Sequence, residues 1–144
     1  EGDETVVEVL ISTFKNCAHT GMFVHNGATV TATQSHFLHN GEHGVECTAN
    51  TTVRLNDCTL HRNRFDGLVA YKGAKVALHG EKTNVHANKR HGIRTYDKGQ
   101  VDIHLPCHHK TSHGNGGEDR VTVGTYHWQT NGTIANVAQK EVEQ

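Results

Sequence analysis

Valine recurs at Val7, Val30, Val53, Val76 and Val101, at intervals of 23, 23, 23 and 25 residues. A second column keeps the same phase: Gly21, Gly44, Gly67 and Gly92 each open a short stretch in which every other residue faces one way, as in Gly44-Val45-Glu46-Cys47. Phe14, Phe37, Leu60 and Val85 make a third column. The three share a slip of two residues near Gly80 and Glu81, which describes one structural unit repeated with a single bulging loop.

Within each unit the apolar residues fall two apart, as Met22 and Val24 or Val30 and Ala32 do. That is the period of a strand, whose alternate side chains share a face, and not the period of a helix. Three short strands per unit, with turns rich in Gly, Asn and Asp, wind the chain around a three-sided core. Each strand then pairs in parallel with its equivalent one unit away, so five units spaced by ~4.8 Å make a rod roughly 24 Å long. Asn40, Asn63 and Asn88 form a turn column four residues before the glycines. Asparagine accepts left-handed backbone, and its side chains can bond along a ladder. Cys17 takes its place in the first unit, where the ladder is expected to begin weakly, and the glycines are expected to supply tight corners.

In Asn40-Gly41-Glu42-His43-Gly44-Val45 and Asn63-Arg64-Phe65-Asp66-Gly67-Leu68 this pattern resembles the right-handed β-helix repeat family, the pectin-lyase-like superfamily in its broad sense. The resemblance covers roughly residues 6 to 105 and implies an all-β fold, a right-handed parallel β-helix (solenoid) of about five 23-residue coils. Ile103-His104-Leu105-Pro106 and Gly116-Gly117-Glu118-Asp119-Arg120 are similar to the last coil of uncharacterised β-helix proteins of eukaryotic microbes. The family includes polysaccharide lyases, hydrolases and epimerases beside non-catalytic modules, so the resemblance implies a fold and leaves the task to the residues.

The 144 residues read as one domain, with coils over about 6 to 105 and a C-terminal capping segment over about 106 to 144. Pro106 suits a strand end, and the alternation returns in Val121-Thr122-Val123 and Thr133-Ile134-Ala135-Asn136-Val137. Trp128 is the largest side chain available to plug the core. The N-terminal end has no comparable cover, so the expectation there is a partner, self-association, or earlier coils of a longer chain.

Only 34% of the residues are hydrophobic, and the mean hydropathy is -0.62. Those values are poor for a two-layer globule but sufficient for a solenoid, which needs only a thin apolar stripe per coil. With a net charge of -1 and interspersed signs there is no basic stripe, and nucleic acid is not an expected partner. No stretch approaches the ~18 apolar residues of a membrane span, and no membrane partner is expected. Protonating all 14 histidines would move the charge from -1 to +13. Cys17, Cys47, Cys58 and Cys107 form no CxxC pair and are expected to be free thiols, with Cys47 in the core. No cofactor and no compartment follows from the sequence.

The strand that follows each column glycine points Phe23, Glu46, Val69 and Arg94 outward, with His25, Thr48, Tyr71 and Tyr96 in the next outward column. Glu46, Tyr71, Arg94 and Tyr96 are the candidate ligand-binding residues. Tyrosine rings stack on sugar faces, while the carboxylate and guanidinium hold polar groups. The leading expectation is a non-catalytic scaffold or recognition module presenting flat polar faces to a protein or glycan partner. The alternative is a carbohydrate-active enzyme or fragment, a lyase or epimerase on uronic-acid polymers, using Tyr71, Arg94 and Glu46 around a substrate carboxylate. Histidines stack as well, His61 with His86 and His43 with His91 around Asp66. A flat ladder supplies tetrahedral metal geometry poorly, so these are read as structural. Cys107-His108-His109 with His113 has better metal-ligand spacing but lacks a fixed fourth ligand, and no metal site is assigned.

Overall fold

A computed structural model describes residues 5–104 and 111–138. Strands β1 (Val6–Leu10) and β2 (Thr13–Lys15) begin the winding. The following coils carry β3 (Met22–Val24), β4 (Thr29–Thr33) and β5 (His36–Leu38), then β6 (Val45–Cys47), β7 (Thr52–Asn56) and β8 (Thr59–His61). Next come β9 (Leu68–Ala70), β10 (Lys75–His79) and β11 (Asn84–His86), followed by β12 (Ile93–Thr95), β13 (Gln100–His104) and β14 (Ser112–His113). The last are β15 (Arg120–Val121) and β16 (Thr133–Val137).

These strands stack into three parallel sheets. Sheet A runs β1-β4-β7-β10-β13-β16, sheet B β2-β5-β8-β11-β14, and sheet C β3-β6-β9-β12-β15. The valine column is literal: Val7 pairs with Val30, Val30 with Val53, Val53 with Val76 and Val76 with Val101, and Ile134 completes it. Phe14, Phe37, Leu60 and Val85 pair in the same way on sheet B, the two phenylalanine rings stacked at 4.9 Å. Leu55, Leu60, Leu68, Leu78 and Ile93 are fully buried, and each such side chain removed from water contributes about 1.5–3 kcal/mol. The two-residue insertion lies between β10 and β11, as its columns require.

Turn ladders carry the polar half of the fold. Asn40 and Asn63 each take the backbone N–H of the preceding Asn-column residue, Cys17 and Asn40, on Oδ1 at 3.1 Å. Their Nδ2 groups donate back to Phe14 O and Phe37 O. Cys17 therefore starts the ladder through its backbone. Asn88 continues it, and Asn115, whose spacing of 27 hides it in the sequence, ends it by accepting from Asn88 N and Nδ2 at 3.0 Å. Buried amides satisfied on both sides bring the full benefit of the bond, whereas an orphaned one costs about 1–3 kcal/mol.

The column glycines Gly44 and Gly67 are required by close approach: a Cβ on Gly44 would lie 2.7 Å from Gly67 O and 2.8 Å from Asn63 Nδ2. One expectation needs correction. Trp128 plugs nothing and is 68% exposed. The segment after the repeat instead continues the winding in register, β14 on β11, β15 on β12 and β16 on β13. At the opposite end Val6, Val7, Leu10, Ile11 and Phe23 are exposed, and Val7 and Phe23 line a cavity of about 210 Å³ with Met22, Val24, Ala28 and Val30 among others.

Candidate functional site

Sheet C sets the outward column Phe23, Glu46, Val69, Arg94 and Val121, one rung per coil. Beside it, Tyr71 and Tyr96 stack with ring centroids 4.9 Å apart and planes within 7°. The Tyr71 hydroxyl donates to Glu46 Oε1 at 2.7 Å, and the Thr20 hydroxyl donates to Glu46 Oε2 at 3.1 Å. Glu46 thereby ties its own coil to the coils on either side and fixes the tyrosine rung. The Arg94 guanidinium lies 5.5 Å from the Tyr96 ring centroid, within reach of its π face. The structure thus gathers all four residues singled out from the sequence on one face.

Arg94 is the least available of the four. Its Nε lies 3.0 Å from Asp66 Oδ2, and its Nη1 donates to Thr125 Oγ1 at 2.9 Å. Asp66 is fully buried and also accepts the His91 N–H on Oδ1 at 3.0 Å. The Asp66 N–H in turn donates to His43 Nδ1 at 3.2 Å, and the Glu118 N–H donates to His91 Nδ1 at 3.0 Å. His43, Asp66 and His91 therefore form a second turn ladder. Because His43 Nδ1 accepts, its proton sits on Nε2 and the ring is neutral. Burial drives the His43 pKa below its ordinary value, against the opposing pull of Asp66.

The loop between β15 and β16 flanks this face. Asp97 N–H donates to Thr130 O at 2.8 Å, Thr130 N–H donates to Asp97 Oδ1 at 2.9 Å, and Tyr96 forms an antiparallel bridge with Asn131. Tyr126 and Trp128 stack on this braced loop at 4.5 Å, both largely exposed. Sequence reasoning missed the loop, because nothing in the 23-residue period points to it. It also missed Asp66 as the partner of Arg94, although Asp66 was visible in the histidine column.

Electrostatically the face holds its protons. Burial and then the hydrogen bond to Glu46 push the Tyr71 phenol well above its usual range. Burial raises Tyr96 too, partly offset by Arg94. On sheet B, His61, His86 and His113 stack at 4.9 and 5.4 Å, and on sheet A His79 and His104 stack at 4.2 Å. Burial and then its neighbour His86 bring His61 down to about 4, and burial lowers His86 and His79 as well. Face-to-face rings cannot converge on one ion, and no group of three potential ligands gathers around one point among the described residues. Cys107, His108 and His109 lie outside the described residues, so that cluster is not placed. Cys47 and Cys58 are buried and free, and Cys17 is free and half-buried.

No curated protein and no solved structure matches the chain. The family model described as the right-handed β-helix region matches residues 2–106, the stretch that carries the stacked columns and most of the sheet C face. By that match, and by the parallel three-sheet winding, the chain belongs to the right-handed β-helix family.

Proposed function

We propose that the chain is a non-catalytic recognition module whose sheet C face binds a glycan. The observation that carries this reading is the Tyr71–Tyr96 stack, half-exposed and held rigid through Glu46; the loop bonded to this face at Arg94 and Asp97 carries a second, exposed ring pair, Tyr126 and Trp128. Aromatic faces fixed before binding lose little rotamer freedom on contact with a pyranose, which is what a binding surface requires.

The enzymatic alternative fits less well. A base that abstracts a proton must be deprotonated near working pH. Tyr71 instead donates to Glu46 and holds its proton tightly. Both Glu46 oxygens accept hydroxyl protons, and Arg94 is bound to Asp66 and Thr125 rather than free to neutralise a substrate carboxylate.

The apolar N-terminal end supports a second contact, with another copy of the chain. Val6, Leu10 and Ile11 lie on or beside β1, which has no neighbour on its outer edge among the described residues, and an edge strand invites another strand.

A glycan array followed by titration of the best binder tests the principal reading. Tyr71→Ala and Tyr96→Ala should each weaken binding roughly two- to tenfold, the effect of losing one aromatic contact of ~0.5–1.5 kcal/mol. Wild-type affinity in both variants, or no bound glycan on the array, contradicts it.

A further inference from the structure

The break in the repeat builds a second concave surface that the sheet C reading leaves unused. In the coils before it, two residues turn the chain from sheet A to sheet B: Ile11 and Ser12, Gln34 and Ser35, Asp57 and Cys58. In the next coil Gly80 to Thr83 make that turn. The extra residues are fastened to the coil beneath, since Lys82 N–H donates to Asp57 Oδ1 at 3.1 Å and Thr83 Oγ1 accepts the Cys58 N–H at 3.4 Å. The bulge contributes Lys82 to a cleft of about 360 Å³ whose other lining residues are Ile11, Gln34, His36, Asp57 and Thr59.

The cleft has a shape and a charge pattern of its own. Ile11, Gln34 and Asp57 all have left-handed backbone, with φ of 46°, 48° and 51°, so the corner is bent before any ligand arrives. His36 Nδ1 is engaged with Thr59 Oγ1, which orients the ring and leaves Nε2 for a ligand. Lys82 and Asp57 carry opposite charges in the same cleft, yet no ion pair joins their side chains among the described residues. An anion alone would meet Lys82 and leave Asp57 facing it, and a cation alone would do the reverse. A ligand bearing both charges satisfies both walls.

We propose that this corner cleft binds a small zwitterion of the α-amino acid class. Its ammonium faces the Asp57 carboxylate and its carboxylate faces Lys82, with His36 and Gln34 as hydrogen-bond partners and Ile11 as the apolar wall. The volume lies near the lower end of the ~300–1,000 Å³ of small-molecule sites. The charged walls are open to water, so binding is weak and falls as salt rises.

The test is a titration of the isotope-labelled full chain with leucine, N-acetyl-leucine and leucine amide, followed through backbone amide shifts. Leucine should perturb Asp57, Thr59 and Lys82, and the two singly charged analogues should bind roughly tenfold more weakly or worse. Lys82→Met removes an exposed side chain and Asp57→Asn retains an acceptor for the Lys82 N–H, so both variants should stay folded and lose leucine binding. Tyr71→Ala should bind leucine as the wild type does, which separates this site from the glycan face. Analogues that bind as well as leucine, or no shift at those amides at tens of millimolar leucine, would overturn the proposal.

Discussion

The Nε of Arg94 lies 3.0 Å from Oδ2 of Asp66, a pairing that joins a strand of sheet C to the turn of the preceding coil. Both side chains are almost wholly buried, and Asp66 also serves the turn ladder through His91. Removing the cation leaves a buried carboxylate uncompensated, which costs about 3–5 kcal/mol. Arg94→Met should therefore lower unfolding free energy by about 3 kcal/mol or more in urea. A loss of under roughly 1 kcal/mol would place the pair among exposed ion pairs, against the burial described above.

The asparagine ladder makes a separate prediction about stability. Asn63 accepts from Asn40 and donates to Phe37 O and Asn88 Oδ1, all in the interior. Asn63→Ala orphans several buried groups at ~1–3 kcal/mol each, so a destabilisation of about 2 kcal/mol or more is expected in urea unfolding. Alanine at the exposed Lys75 on sheet A, outside the ladder, should change stability by roughly 0.5 kcal/mol or less. Equal effects at the two sites would remove the ladder from the account.

How much of this was legible in the sequence depends on whether an interaction follows the period. Val7 over Val30 and Tyr71 over Tyr96 repeat at one coil, so counting residues finds them. Arg94 reaches diagonally to Asp66 and forward 31 residues to Thr125, and neither distance is a column. Asn115 and β16 continue the ladders and sheets after longer excursions, so the final coil reads as irregular until the pairing is seen. Trp128 was misplaced for a physical reason: bulk suggested burial, but its loop is braced through backbone and Asp97 contacts that need no apolar plug.

The stacked histidines set an acid limit. His43, His61, His79 and His86 have lowered pKa values in the folded chain, whereas the unfolded value is about 6.5. Below that value the unfolded chain binds more protons, so the contribution to stability is intact above pH 6.5 and is lost as pH falls towards about 4, where His61 titrates when folded. Arg62, His36 and His39 also oppose protonation of His61. Thermal unfolding between pH 7.5 and 4 should show a falling midpoint, and His61→Gln should flatten the dependence. A midpoint that rises on acidification would reverse the sign of the argument.

Self-association through the apolar end predicts a mass that increases with protein concentration in sedimentation equilibrium. Lysines at Val6 and Ile11, both more than three-quarters exposed, should return the chain to a monomer without loss of secondary structure. Unchanged association in that double variant would assign the contact to another surface.

The most direct test of the reading as a whole is the proton spectrum of a candidate glycan, oligogalacturonate included, recorded with the chain over many hours. Recognition without turnover predicts saturation transfer from protein to sugar that disappears with Tyr71→Ala, while the glycan keeps its own signals. New vinyl or reducing-end resonances that grow with time and need the chain would show that the sheet C face transforms what it holds.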